Sequence, residues 1–166
     1  MENTVTYKLV TSAADFALAG TLFKEYAAYI GIDLSFQNFE KELQALGGQY
    51  NAPDGALILA YLDDNAVGCV GVRRLEADIA ELKRMYVKPE ARRHGIGVGL
   101  LERALESAVT LGYQRIRLDT LTHMTKAQEL YRRFGFYTIP PYRFNPLEGA
   151  VYMEKELLSP VGRREL

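Results

Sequence analysis

The run Met85-Tyr86-Val87-Lys88-Pro89-Glu90-Ala91-Arg92-Arg93-His94-Gly95-Ile96-Gly97-Val98-Gly99-Leu100 constrains this chain more than any other stretch. An apolar strand ends at Val87, a basic loop follows, and three glycines at alternate positions open a helix that continues Leu101-Glu102-Arg103-Ala104-Leu105. N–H groups in the first turn of a helix have no partner inside it and lie at the positive end of its dipole, so such a start suits a phosphate. Glycine lets a ligand come close to the backbone because no Cβ intervenes. Arg92, Arg93 and His94 bring positive charge to the same mouth.

Two nucleotide motifs are excluded by spacing. A Walker A loop needs Gly-Lys followed by Ser or Thr after its first glycine and four residues, and no such run exists here. The dinucleotide fingerprint needs a third glycine three residues after the second, where this chain has Leu100 or Glu102. Seven residues also separate Val87 from Gly95, too many for a Rossmann turn. A glycine-rich helix start is often only structural, so its neighbours decide its meaning.

Along the chain, Thr4 to Val10 alternates as a half-buried strand, and Ser12 with Asp15 reads as a capping box. Phe16, Ala19, Phe23, Tyr26, Ala27 and Ile30 fall on one face of a helix that Gly31 ends. A shorter helix is expected from Ser35 as N-cap through Phe36, Phe39, Leu43 and Leu46 to Gly47-Gly48. Ala56 to Leu62 and Ala66 to Leu75 are strands joined by Asp63-Asp64-Asn65, and Ile79 to Val87 completes an antiparallel meander. A helix from Ile96 to Leu111, a strand from Arg115 to Thr120, a helix capped by Thr125 and Gln128, and strands at Phe136 to Ile139 and Ala150 to Leu157 follow. This order predicts an α/β (α+β) domain with a mixed, mostly antiparallel sheet of six to seven strands and helices on both faces. At 166 residues one domain spanning 1–166 is expected, with a loose tail over 159–166.

Two segments in order carry a family likeness. They are Tyr86 to Gly97 and, a helix, strand and helix later, Ala127-Gln128-Glu129-Leu130-Tyr131-Arg132-Arg133-Phe134-Gly135-Phe136. The first resembles the acyl-CoA pyrophosphate motif of the GNAT superfamily of acyl-CoA N-acyltransferases, and the second its Ala-x-x-Leu-Tyr-x-x-x-Gly-Phe signature. The likeness covers roughly residues 5 to 157. Pro140 to Pro146 together with Leu118-Asp119-Thr120 is similar to a bacterial, small-molecule branch of that family.

The resemblance implies acetyl-CoA as acyl donor, no metal, a strand ending at Val87 that splays from the one beginning near Arg115, and frequent pairing as a homodimer. It implies that backbone groups of Met85, Tyr86 and Val87 hold the pantetheine arm, with an N–H at or near Val87 facing the thioester oxygen. Arg92, Arg93, His94, Gly95, Ile96, Gly97, Val98 and Gly99 would hold the pyrophosphate. Tyr131 would return a proton to the leaving thiolate, its phenol having an ordinary pKa of about 10. Glu81 stands where some members carry a general base, acting directly or through water, although a strand glutamate is usually just solvated. His123 is a weaker alternative. Met124 departs from the pattern, since many members have asparagine there, and Thr122 or Thr125 is expected to substitute for it.

The expected acceptor is a small-molecule primary amine, with an acidic group received by Arg73, Arg74 or Arg84, and Tyr142 and Arg143 reach over the cleft. Modification of a protein amine, or acyl-CoA sensing without turnover, stay open beside it. A formal net charge of −1 gives no reason to expect nucleic-acid binding. No apolar run approaches the ~20 residues of a membrane span, and the start carries no leader pattern, so the expectation is cytoplasmic. Cys69, the single cysteine, sits in an apolar strand and reads as a buried thiol.

Overall fold

The computed structural model describes residues 4–31, 39–143 and 149–157. The elements are β1 (Val5–Leu9), α1 (Ala13–Ile30), α2 (Phe39–Gln44), α3 (Leu46–Gln49), β2 (Ala56–Leu62), β3 (Asn65–Glu76) and β4 (Ile79–Val87). They continue with α4 (Ile96–Thr110), β5 (Arg115–Leu121), α5 (Thr125–Arg133), β6 (Tyr137–Ile139) and β7 (Ala150–Glu156). The seven strands lie in the order β1-β2-β3-β4-β5-β7-β6. Every neighbouring pair is antiparallel except β4 and β5, which are parallel and joined through α4. A parallel neighbour needs such a crossover because a tight turn can only reverse the chain.

Alternation along the strands separates two cores. Ile58, Ala60, Val70, Val72, Ala80, Leu82, Ile116 and Leu118 pack under α4 and α5 with Leu100, Leu101, Ala104 and Tyr131. Leu57, Leu59, Cys69 and Tyr86 face the other way, against Phe16, Leu22 and Phe23 of α1 and against Leu46 and Tyr50. With both faces covered, β2 reads as a continuous apolar run rather than an alternating one.

Local chemistry sets the helix ends. Ser12 Oγ accepts the N–H of Asp15 at 3.2 Å, and Gly31 closes α1 in the left-handed region at φ 67°. The single helix expected over 35–48 is two pieces, because Ala45 leaves helical geometry at φ −121° and ψ 26°. Its expected start at Ser35 and Phe36 lies outside the described residues, as does the expected tail over 159–166. Thr125 does not cap α5: Met124 holds that position without a side-chain bond, and the Gln128 amide donates instead to Leu121 O at 2.6 Å.

One irregularity matters for the site. Between Cys69 opposite Tyr86 and Gly71 opposite Lys83, β4 carries one more residue than β3. Arg84 takes it up at φ 57°, a bulge that places Lys83 and Arg84 on the same side of the sheet as Tyr86. Its carbonyl accepts the buried Cys69 thiol at 3.3 Å, and burial pushes that thiol's pKa up, as befits an inert core cysteine. No helix among the described residues is long and apolar enough to cross a membrane.

Candidate active site

Strands β4 and β5 pair only at Ile79, Ala80 and Glu81, opposite Arg115, Ile116 and Arg117. Beyond Glu81 they part, and the end of β4 borders a cleft of about 920 Å³. Met85, Tyr86 and Val87 form one wall, Tyr26, Tyr29 and Ile30 of α1 a second, and His123 to Ala127 with Leu130 a third. Arg92, Arg93, Gly95, Ile96, Gly97 and Val98 close the far end. The first bond within α4 joins Gly99 N–H to Gly95 O at 3.1 Å, so the N–H groups of Ile96, Gly97 and Val98 have no acceptor in the helix. A Cβ on Gly97 would meet only Leu130 Cδ2, at 4.0 Å; what it would fill is cleft. A strand edge, three amides and two arginines around that space suit a long, polar, anionic ligand such as acyl-CoA.

Arg92 is already engaged. It donates to Tyr29 Oη at 2.9 Å and to Val87 O at 3.3 Å, with its guanidinium carbon 4.7 Å from the Tyr29 ring centre. Tyr29 and Tyr26 both pack on the Tyr86 ring, at 5.9 and 6.1 Å. Two residues of the expected pyrophosphate set are not brought to the cleft. His94 is exposed outside it. Gly99 faces β1, where a Cβ would fall within 1.9 Å of Tyr7 Oη, and its amide is spent on Gly95. Its glycine therefore serves the packing of α4 on β1.

Tyr131 is buried, edge-on to Phe136 at 5.6 Å, while Leu130 beside it lines the cleft. Burial first, then Tyr26 and Asp119, pushes its phenol pKa up. At the Met124 position, Thr122 Oγ1 is turned away to Gly149 O at 3.1 Å, whereas Thr125 and His123 line the cleft.

At the vertex of the two strands lies a charged cluster that the sequence only partly announced. Glu81 is fully buried; its Oε1 accepts from Arg73 Nε and Nη2 at 3.2 and 3.1 Å, and its Oε2 from Tyr142 Oη at 2.8 Å and Arg143 Nη2 at 2.5 Å. Burial alone would raise its carboxyl pKa, yet Lys83, Arg143, Arg73 and the Tyr142 hydroxyl outweigh it and hold it below the usual glutamate range. Lys83, two residues on, is also buried, which pulls its pKa down to about 8 against the opposing pull of Glu81.

The arginines expected to receive an acceptor's acid group are placed differently from expectation. Arg74 is exposed, paired with Asp54 at 2.7 Å and 5.7 Å over Tyr113. Arg84 is buried and bound at two points by Glu42, at 2.9 and 3.0 Å. Arg73 is committed to Glu81, with Gln49 at 3.3 Å. Glu42 was missed; a carboxylate three residues after Phe39, on an otherwise apolar helix face, is the signal that a buried cation awaits it.

Comparison with known proteins agrees with this geometry. The family model described as Acetyltransferase (GNAT) family matches residues 22–136. An uncharacterized N-acetyltransferase of Schizosaccharomyces pombe is 38% identical over 152 residues, covering 90% of this chain and 91% of its own. An acetyltransferase of the GNAT family from Staphylococcus aureus superposes with a TM-score of 0.73 at 23% identity, over 92% of this chain and 99% of its own. The yncA protein of Salmonella typhimurium, solved with its cofactor acetyl-CoA, superposes with a TM-score of 0.69 at 16% identity, over 93% of this chain and 95% of its own.

Proposed function

The chain belongs to the GNAT acetyltransferase family, and from that premise we propose that it moves an acetyl group from acetyl-CoA to a primary amine of a small molecule, by direct transfer in a ternary complex. The observation that carries the reading is the parting of β4 from β5 beyond Glu81, with the open start of α4 at the far end of the same cleft.

Each part of the reaction finds a group. The amides of Ile96, Gly97 and Val98 with Arg92 and Arg93 hold the diphosphate. The unpaired edge of β4 from Met85 to Val87 offers backbone groups to the pantetheine amides and to the oxygen that gains charge during attack. Tyr131 supplies the proton to the departing sulfur. Its raised pKa keeps the phenol loaded near neutral pH, and burial raises the proton affinity of a thiolate leaving into the same apolar space as well.

For Glu81 the surroundings favour a different part from the base expected of it. Taking a proton would break the ion pairs with Arg73 and Arg143, and a carboxylate held below its usual pKa is a poorer acceptor than a free one. We assign it the positioning of Arg73, Tyr142 and Arg143.

The test is release of free thiol from acetyl-CoA across a panel of amines. Tyr131→Phe should lower turnover by about tenfold or more with little change in acetyl-CoA affinity, and unchanged turnover removes Tyr131 from the mechanism. In the same assay Glu81→Gln should raise the acceptor KM; a drop of ~100-fold in kcat at constant KM restores it as the base.

A further inference from the structure

We propose that the acceptor amine bears a carboxylate and that Arg143 receives it, an inference that rests on the acetyl-transfer reading above. An ionised carboxylate offers about four lone-pair sites. Glu81 already takes four donors, two from Arg73, one from Tyr142 and one from Arg143 Nη2, and so is full. The remaining N–H groups of Arg143 have no place on it. The Nε of Arg143 is buried and has no acceptor among the described residues. A buried donor left unmet costs free energy, and a ligand that supplies the missing acceptor recovers it.

The guanidinium is held ready rather than loose. Its carbon lies 5.3 Å from the Tyr142 ring centre, Tyr142 packs edge-on to Tyr152 at 5.1 Å, and Tyr152 Oη donates to Arg143 O at 2.9 Å. The side chain as a whole keeps 21% of its surface exposed although Nε itself is covered, so a ligand meets the guanidinium on its open side and a small shift of the side chain brings Nε to it. The guanidinium is anchored by Glu81 at the point where β4 and β5 part.

Charge selects the class of ligand. Among the buried and half-buried groups on this side of the sheet, Arg73, Lys83, Arg84, Arg117 and Arg143 stand with Glu42, Glu81, Asp119 and Glu154, five cations to four anions. The excess of one positive charge matches one carboxylate and falls short of a phosphate dianion. Polyamines would bring more positive charge to a site that already has a surplus. Amino acids and other amino-carboxylates fit.

The experiment compares amino acids with their carboxamides and decarboxylated amines, and with polyamines, in the thiol-release assay. The wild-type enzyme should favour the acid over its carboxamide by about tenfold or more in kcat/KM. Arg143→Gln should raise the KM for the acid by about tenfold to 100-fold, leave the acetyl-CoA KM unchanged and abolish the preference for acid over amide; Arg143→Lys should restore part of it. Carboxamides or polyamines used as well as the acids, or an acid-to-amide ratio that Arg143→Gln leaves unchanged, overturns the inference while the acetyl-transfer reading stands. Tight binding of acetyl-CoA with no turnover of any amine overturns both.

Discussion

Glu42→Ala is predicted to be among the most damaging single substitutions in this protein, although Glu42 is not among the residues that line the cleft. Its two oxygens hold Arg84 Nε and Nη2 at 2.9 and 3.0 Å, and the two side chains are 1% and 3% exposed. Arg73 Nη1, 3.7 Å from the same carboxylate, would lose part of its counter-charge as well. Removing the carboxylate strands a guanidinium where water does not reach, and breaking a buried pair in this way costs about 3–5 kcal/mol. A chain of this length loses roughly 2–4 °C of melting temperature per kcal/mol, so the transition should fall by roughly 6–20 °C. The double variant Glu42→Leu, Arg84→Met removes both charges and should recover most of that loss, since apolar replacement of a buried pair is often neutral. Thermal unfolding by circular dichroism on the wild type, both single variants and the double variant gives the coupling directly. A Glu42→Ala melt within about 2 °C of wild type, or a double variant as unstable as the sum of its singles, refutes the reasoning.

Two further outcomes are expected. Arg92→Glu should weaken acetyl-CoA binding by about tenfold or more, read by calorimetry, because it reverses a charge at the mouth that the amides of α4 face; undiminished affinity takes the basic loop out of the donor site. Lys83 gives the protein a pH signature. Its pKa is about 8 folded against an ordinary lysine value of 10.5, so between those values the unfolded chain binds more protons and stability rises with pH. Denaturant midpoints between about pH 8 and 9.5 should therefore increase in the wild type relative to Lys83→Met, and parallel profiles would show that Lys83 titrates alike in both states.

The sequence made the sheet legible where residues speak locally. Alternation marked β1 and β5, apolar runs marked β2 to β4, and the glycines after Val87 marked the start of α4. Gly97 lines the cleft and Gly99 does not, because spacing cannot tell a glycine that borders open space from one that admits Tyr7. Arg74 and Arg84 looked alike as basic strand residues; which of them is surface and which is buried depends on Asp54 and Glu42, partners 20 and 42 residues away. The cluster around Glu81 escapes a local reading for the same reason, since it gathers side chains from β3, β4 and the connection between β6 and β7.

The extra residue that Arg84 contributes to β4 also sets the limits on length changes in this chain. Side chains on a regular strand alternate with a period of two, so an added residue moves every later one to the opposite layer unless a bulge absorbs it, as Arg84 does here. Deleting Arg84 would therefore restore plain alternation and leave Met85 and Tyr86 on the layers they hold now, but it would remove the guanidinium that Glu42 holds and the carbonyl that accepts the Cys69 thiol. A second inserted residue would have no bulge to absorb it and would turn Tyr86 away from Tyr26 and Tyr29. The turn Asp63-Asp64, on the far side of β3, has no such phase to protect. Homologous chains should therefore vary in length at that tip while holding the count from Glu81 to Val87 constant.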